Sequence, residues 1–410
     1  AMAAISTAQL SALSASKVDK LNAGQVAALG TEQIASLTTA QSSNLTTSQI
    51  DAMTSVQVKA LQTANLSKLG TDQIRALTST NIAILSTEQL SALTTAQMSK
   101  LTSDQVSALT AKQLTATSNA GIAALAIDGV ATLDGVQVRG LSSDQLKALT
   151  TGQAAALTSA AVSAMTSIQV SAMETADLAA LNTQAVQAMS ASALNNLSAS
   201  QLNALTSDQV KALTTDQLKA VTTTQISALS TAQASNLTSA QVSALSVRQV
   251  AALETADVAA LATSAVAALN TEQLNALSTA QIVALNTLQI STLGTAQVAA
   301  LTTAQIVSIE SADLVSIKAE ALASMSTAQI RALTNSQMSV LTGDQLSQLT
   351  TAQISRGLST SQIVGIDIKK LNNFSTDQIR SLTTSQMSAL SSFALNNFGV
   401  DQVAALSTAN

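Results

Sequence analysis

The chain has 410 residues with no Cys, His, Pro, Trp or Tyr, a net charge of −5 and only 18 Lys plus Arg. No basic cluster flanked by aromatics is present, which argues against a nucleic-acid surface, and no stretch approaches the run of about 18 apolar residues that crosses a bilayer. The absence of His and Cys removes the side chains most used in catalysis and metal binding, so neither a catalytic site, a metal site nor a cofactor is expected.

From Ile5 onward an apolar residue, replaced once by Thr117, returns every eight positions without a phase error as far as Leu349. One unit is Leu205-Thr206-Ser207-Asp208-Gln209-Val210-Lys211-Ala212. With the leucine numbered 1, position 2 is a capping residue and position 5 is usually Gln, which is the Ser/Thr-x-x-Gln capping box. Positions 1 and 6 then form the hydrophobic staple on either side of it. Acidic residues at position 4, such as Glu32, Asp72, Glu88, Asp104 and Asp208, suit the positive end of a helix dipole. Each octad therefore reads as one very short helix carrying its own start signal.

Two rival folds fail on periodicity. In a single long helix the leucines would drift by about 80° per octad and never form a stripe. In a β-solenoid, positions 1 and 6 would face opposite sides of a strand. The expected fold class is all-α: a solenoid of very short capped helices, one per octad. Two helices per coil, about 16 residues, is the expected stacking, with three per coil, about 24 residues, as the alternative.

Three places along the chain depart from the consensus. Between Thr115 and Gly140 the boxes lose Gln, and Gly121, Gly129, Gly135 and Gly140 appear beside Asp128 and Asp134. Worn or bent repeats explain this better than a cation site, because no ligand series accompanies the two aspartates. A second variant places Glu at the cap and Asp three residues later: Glu174 and Asp177, Glu254 and Asp257, Glu310 and Asp313. These read as alternative caps rather than acid/base pairs. The third is Leu371-Asn372-Asn373-Phe374, repeated as Leu395-Asn396-Asn397-Phe398, where Phe is expected to serve as a larger core residue.

The domain layout follows from the phase. Residues 1–349 form an uninterrupted octad solenoid, residues 350–357 hold a one-residue slip, and residues 358–410 continue the solenoid with Phe-containing repeats. Gly357 is the expected absorber of the extra residue, through left-handed or strained backbone at a helix end.

Octads of the form Leu-Thr-Thr-Ala-Gln-Ile-Ser-Ala resemble the Ala/Ser/Thr/Gln-rich octapeptide tracts of long bacterial surface, secreted or fibre-forming proteins. The resemblance covers essentially the whole chain and implies an extracellular or cell-surface structural role. It brings no catalytic residues with it. No secretory leader is read at the start, where residues 1–4 run straight into Ile5, and a Cys-free chain leaves the redox compartment open.

The expected function is a rod, stalk or filament subunit. The alternative is a binding module presenting rows of Thr and Ser to a protein, glycan or ice surface. Self-association is expected to run head to tail. Leu406, Ser407, Thr408, Ala409 and Asn410 supply the first half of an octad that Ala1, Met2, Ala3 and Ala4 complete, ahead of Ile5.

Overall fold

The computed structural model describes residues 2–406. Among them are 49 α-helices of four to six residues, a 3₁₀ turn at Met2–Ala4, a π-helical turn at Gln353–Gly357, and no strand. The all-α solenoid of short capped helices is therefore the observed fold. The chain divides into two compact units, Ala1–Leu213 and Thr214–Asn410.

Local chemistry accounts for each helix. In the octad that begins at Leu205, Thr206 is extended at φ −68°, ψ 160°, and its hydroxyl accepts from Gln209 N at 3.2 Å. The Gln209 Oε1 accepts in return from Thr206 N at 2.7 Å. At the far end of an octad, as where the helix Thr279–Ala284 stops, Leu285 is extended at φ −66°, ψ 132°, and Asn286 caps the next helix at φ −82°, ψ 167°. Two extended residues thus form the whole corner. No described residue has a positive φ, so the corners need no glycine.

Among the described residues, helices joined by such a corner do not pack on one another. This is why the expected two helices per coil do not occur. In both units each helix packs on the one three places before it, as Ser159–Ala164 does on Gly135–Arg139 and Thr279–Ala284 on Thr255–Ala260. The position-5 side chains reach further, to the helix four places back. Gln289, for example, donates to Val258, Ala259 and Leu261 carbonyls 31, 30 and 28 residues earlier. Each helix therefore lies over the seam between two helices of the preceding coil, and one coil holds between three and four octads. The three-helix alternative is nearer but also falls short.

The interior of each unit is filled by positions 6 and 1. Ile74, Val170, Val298 and Ile330 are fully buried, and Leu205, Leu213, Leu285 and Leu301 nearly so. Each such side chain contributes about 1.5–3 kcal/mol of burial. An isolated helix of this length cannot form, so the stability lives in stacking and not in propensity.

The one-residue slip is taken up without breaking the stack. Leu358 N donates to Gln353 O at 2.9 Å, a bond spanning five residues, so the extra residue becomes a π turn. Contacts to the coil before lengthen by one residue in step: Gln362 reaches Ile330 O and Leu333 O, 32 and 29 residues earlier. Gly357 does not adopt the left-handed backbone expected of it. Its role is close approach, because a Cβ there would lie 3.2 Å from Ile330 Cγ2 and 3.4 Å from Thr327 O.

The glycines between 115 and 140 do the same work. A Cβ at Gly129 would lie 2.9 Å from Val106 Cγ2, one at Gly135 2.7 Å from Ala164 Cβ, and one at Gly140 2.8 Å from Ala111 Cβ. The repeats here are intact helices drawn closer together. Gly140→Ala is expected to cost about 1–3 kcal/mol in chemical denaturation, because the obstruction includes Ala111 backbone. Gly24→Ala is the control. Its Cβ meets only Asn22 Oδ1 at 3.4 Å, so the helical gain of up to about 1 kcal/mol should appear.

Candidate functional site

The repeated site of this molecule is the glutamine rung. Gln41 shows how one side chain is used at both ends. Its Oε1 accepts from Thr38 N at 2.9 Å, while its Nε2 donates to Leu10 O and Leu13 O, each at 2.8 Å, and to Ser11 O at 3.3 Å. The acceptor end starts its own helix. The donor end closes the exposed carbonyls at the end of a helix in the preceding coil, groups that a helix cannot satisfy by itself. Gln41, Gln273 and Gln289 are at most 1 % exposed, so these polar atoms have no access to water.

Sequence reasoning found the acceptor half of this arrangement and missed the donor half. A signal was present. A capping box admits Glu as readily as Gln, and the helix dipole favours Glu, yet no octad carries Glu at position 5. The structure supplies the reason, since a carboxylate cannot donate to three carbonyls. Other residues at this position can. Asn65 Nδ2 donates to Leu37 O at 2.8 Å, Asn81 Nδ2 to Met53 O at 3.2 Å, and Lys370 Nζ to Ser339 O at 2.8 Å.

The acidic octads are the exception. Glu174, Glu254 and Glu310 do occupy the cap positions, but their side chains make no cap bond. Asp177, Asp257 and Asp313 take the rung position and are buried. A threonine stands 26 residues before each: Thr287 Oγ1 donates to Asp313 Oδ1 at 2.5 Å, and the hydroxyls of Thr151 and Thr231 lie close enough to Asp177 and Asp257 to favour their charged form. Burial pushes the Asp177 and Asp257 carboxyls above the ordinary range, against the downward pull of the threonine bond, and the nearby Glu174 and Glu254 add to the rise. They are therefore more than alternative caps.

The remaining expected sites separate. Asp134 is an ordinary cap, accepting from Gln137 N at 2.8 Å, and Asp128 is exposed. Among the described residues no group of three His, Cys, Asp or Glu side chains comes together. Gly135, Gly140 and Ala164, with Asp134, Val136 and Arg139, line an open surface dish of about 570 Å³ left by their small side chains. Phe374 and Phe398 sit in the core positions, whereas Phe393 is 66 % exposed.

Of the expected head-to-tail residues, Ala1 and Ser407, Thr408, Ala409 and Asn410 lie outside the described residues. Met2–Ala4 is folded against the next coil, with Gln33 Nε2 donating to Met2 O at 3.1 Å and Ile5 O at 2.6 Å. Leu406 is 37 % exposed. The Thr and Ser rows at position 2 are largely committed to capping, as at Thr102, Ser142, Thr238 and Ser326, which leaves positions 3, 4 and 7 to form most of the outer face. No helix of the described residues is long and apolar enough to cross a membrane.

A family model described as "ALTTAQ repeat" matches residues 2–39, 55–87, 66–103, 170–206, 186–222, 211–247, 250–287 and 306–343, together more than half of the chain. Its name is spelled out at Ala92-Leu93-Thr94-Thr95-Ala96-Gln97. No curated protein matches. One matching solved structure is the leucine-rich repeat-containing protein LegL7 from Legionella pneumophila, 14 % identical over 71 % of this chain and 79 % of that one. Its TM-score of 0.13 gives that likeness no weight.

Proposed function

The chain belongs to the ALTTAQ repeat family, and we propose that its work is structural: a non-enzymatic rod, stalk or filament subunit outside the cell or at its surface. The observation that supports this reading is the use made of the rung. Side chains such as Gln41 and Gln289 direct their buried polar atoms at the stack itself, leaving an outer face dominated by Ala, Ser and Thr. A molecule whose polar chemistry is spent on joining one coil to the next supplies a repetitive surface and length.

The partner proposed is a second copy, added head to tail. Support comes from the repetition itself: the rung and core contacts that join one coil to the next, as at Gln289 and Val298, recur coil after coil, so a coil of a second copy can be joined by the same contacts. A heterologous contact of this kind propagates as an open filament. Negative-stain electron microscopy and sedimentation velocity of the full chain should show concentration-dependent fibres. Removing residues 1–4 and 407–410 should leave dispersed particles with unchanged helical circular dichroism. A full chain that stays a monomer at every concentration would overturn the filament reading.

A further inference from the structure

We propose that Asp177 and Asp257 are proton-operated joints, one in each unit, whose protonated carboxyl holds two coils together and whose ionised form lets them part. The geometry rests on a comparison within the chain. Asn81 stands in the same octad position and has the same reach as Asp. Its Oδ1 accepts from Ser55 Oγ at 3.0 Å, 26 residues earlier, and its Nδ2 donates to Met53 O, 28 residues earlier. For the first half of this pattern, Thr151 and Thr231 stand beside Asp177 and Asp257, 26 residues earlier, where Ser55 stands beside Asn81. In the second half an oxygen replaces the donor nitrogen, and in both residues Oδ2 has no hydrogen-bond partner although the side chains are only 3 % and 2 % exposed. The residues 28 places earlier are Leu149 and Leu229, by octad position the counterparts of Met53, whose carbonyl oxygen Asn81 Nδ2 meets.

Two oxygens in that relation repel unless a proton lies between them. Protonation from bulk water converts Oδ2 into an O–H donor and completes the rung, as a neutral acid does elsewhere when held in an apolar site. No nearby cation competes for the charge. The helices packed on Asp177, Thr151–Ala155 and Ala199–Ala204, carry no ionisable side chain. Those one octad further along each neighbouring coil carry Asp144, Lys147, Asp208 and Lys211, all exposed. For Asp257 the packed helices Thr231–Ser235 and Thr279–Ala284, and the next ones Thr223–Ile226 and Thr287–Ser291, have none. Glu174 and Glu254 on the respective caps are exposed and favour the neutral form.

The sign follows from a folded-state pKa above the unfolded value. The joints contribute fully below the ordinary carboxylate range, and their contribution is lost as pH rises through the raised folded value. This is the reverse of the usual acid-labile salt bridge.

The test uses the full chain with ¹³C-labelled aspartate, the two resonances being assigned from Asp177→Asn and Asp257→Asn. Both carboxyls should titrate above the reference value of about 3.9. Across the same pH range, hydrogen-exchange protection of residues 149–155 and 175–180, corrected for intrinsic rate, should fall severalfold in the wild type and stay level in Asp177→Asn. Titration at or below the reference value would overturn the proposal, as would an equal loss of protection in the variant. Protection restored at neutral pH by sodium, potassium or calcium chloride, but not by tetramethylammonium chloride, would also overturn it, by assigning the bridge to a cation.

Discussion

Gln289→Glu is expected to weaken the second unit by at least 3 kcal/mol at neutral pH, more than Gln289→Ala, which should cost about 3 kcal/mol. Both estimates follow from what Nε2 does now. It donates to Leu261 O at 2.7 Å and to Val258 O and Ala259 O at 3.2 Å, in a side chain with no exposure. Alanine leaves these carbonyls without that donor, together with the Asn286 N–H that Oε1 accepts at 2.8 Å. Each unsatisfied buried group costs about 1–3 kcal/mol. Glutamate restores the bond to Asn286 N but turns a charged oxygen on three carbonyls. The pair of variants separates the two roles of the residue. A capping box alone would make Glu equal to Gln or slightly better, given the helix dipole. Urea denaturation at pH 7 and pH 4 decides between them: the Glu variant should regain part of its loss in acid, when the side chain can again donate. A Glu variant as stable as the wild type at pH 7 would show that the rung is not what holds the coils.

The octad, its cap and its two core positions are legible in the sequence because they are local. Thr206, Gln209 and Val210 lie within a single turn of one another, so their spacing carries the geometry directly. The number of helices per coil is not local. It depends on the angle at a corner of two extended residues, Leu285 and Asn286 being one example, and on partners 28 to 31 residues away. Only the absence of Glu at position 5 reported those partners in advance. Glycine was ambiguous for a different reason. Gly357 can serve by left-handed backbone or by its missing Cβ, and the sequence looks the same in both cases until Ile330 is found 3.2 Å from where a Cβ would be. The spacing of the acidic octads locates them on the helix, but a cap exposes a carboxylate whereas a rung buries it. That distinction exists only once Thr151 has been brought beside Asp177 from the preceding coil.

Removing a whole octad should be nearly harmless, and removing half of one should not. Deletion of residues 271–278 joins Asn270 to Thr279-Ala280-Gln281, which is again a complete box after the position-1 residue Leu269. The next four rungs, those of Gln281, Gln289, Gln297 and Gln305, then meet carbonyls one octad further back, and these belong to equivalent helix ends. For Gln289 they become those of Val250, Ala251 and Leu253, the last two of which already serve Gln281. A stack with nearest-neighbour energetics loses one unit's contribution and little else. Deletion of residues 271–274 instead takes away Gln273 and Leu274, both fully buried, and leaves Asn270 followed by Asn275-Ala276-Leu277-Ser278 with no glutamine at N3. One rung, one core leucine and the phase of everything beyond are lost together. The two core contributions alone put the expected cost at about 4–7 kcal/mol, enough to unfold the adjoining coils. Circular dichroism melting and limited proteolysis of the two deletions test this side by side. The eight-residue deletion should melt within a few degrees of the wild type, while the four-residue deletion should be cleaved near residues 269–285. Equal tolerance of both would mean that the octad is not the structural unit.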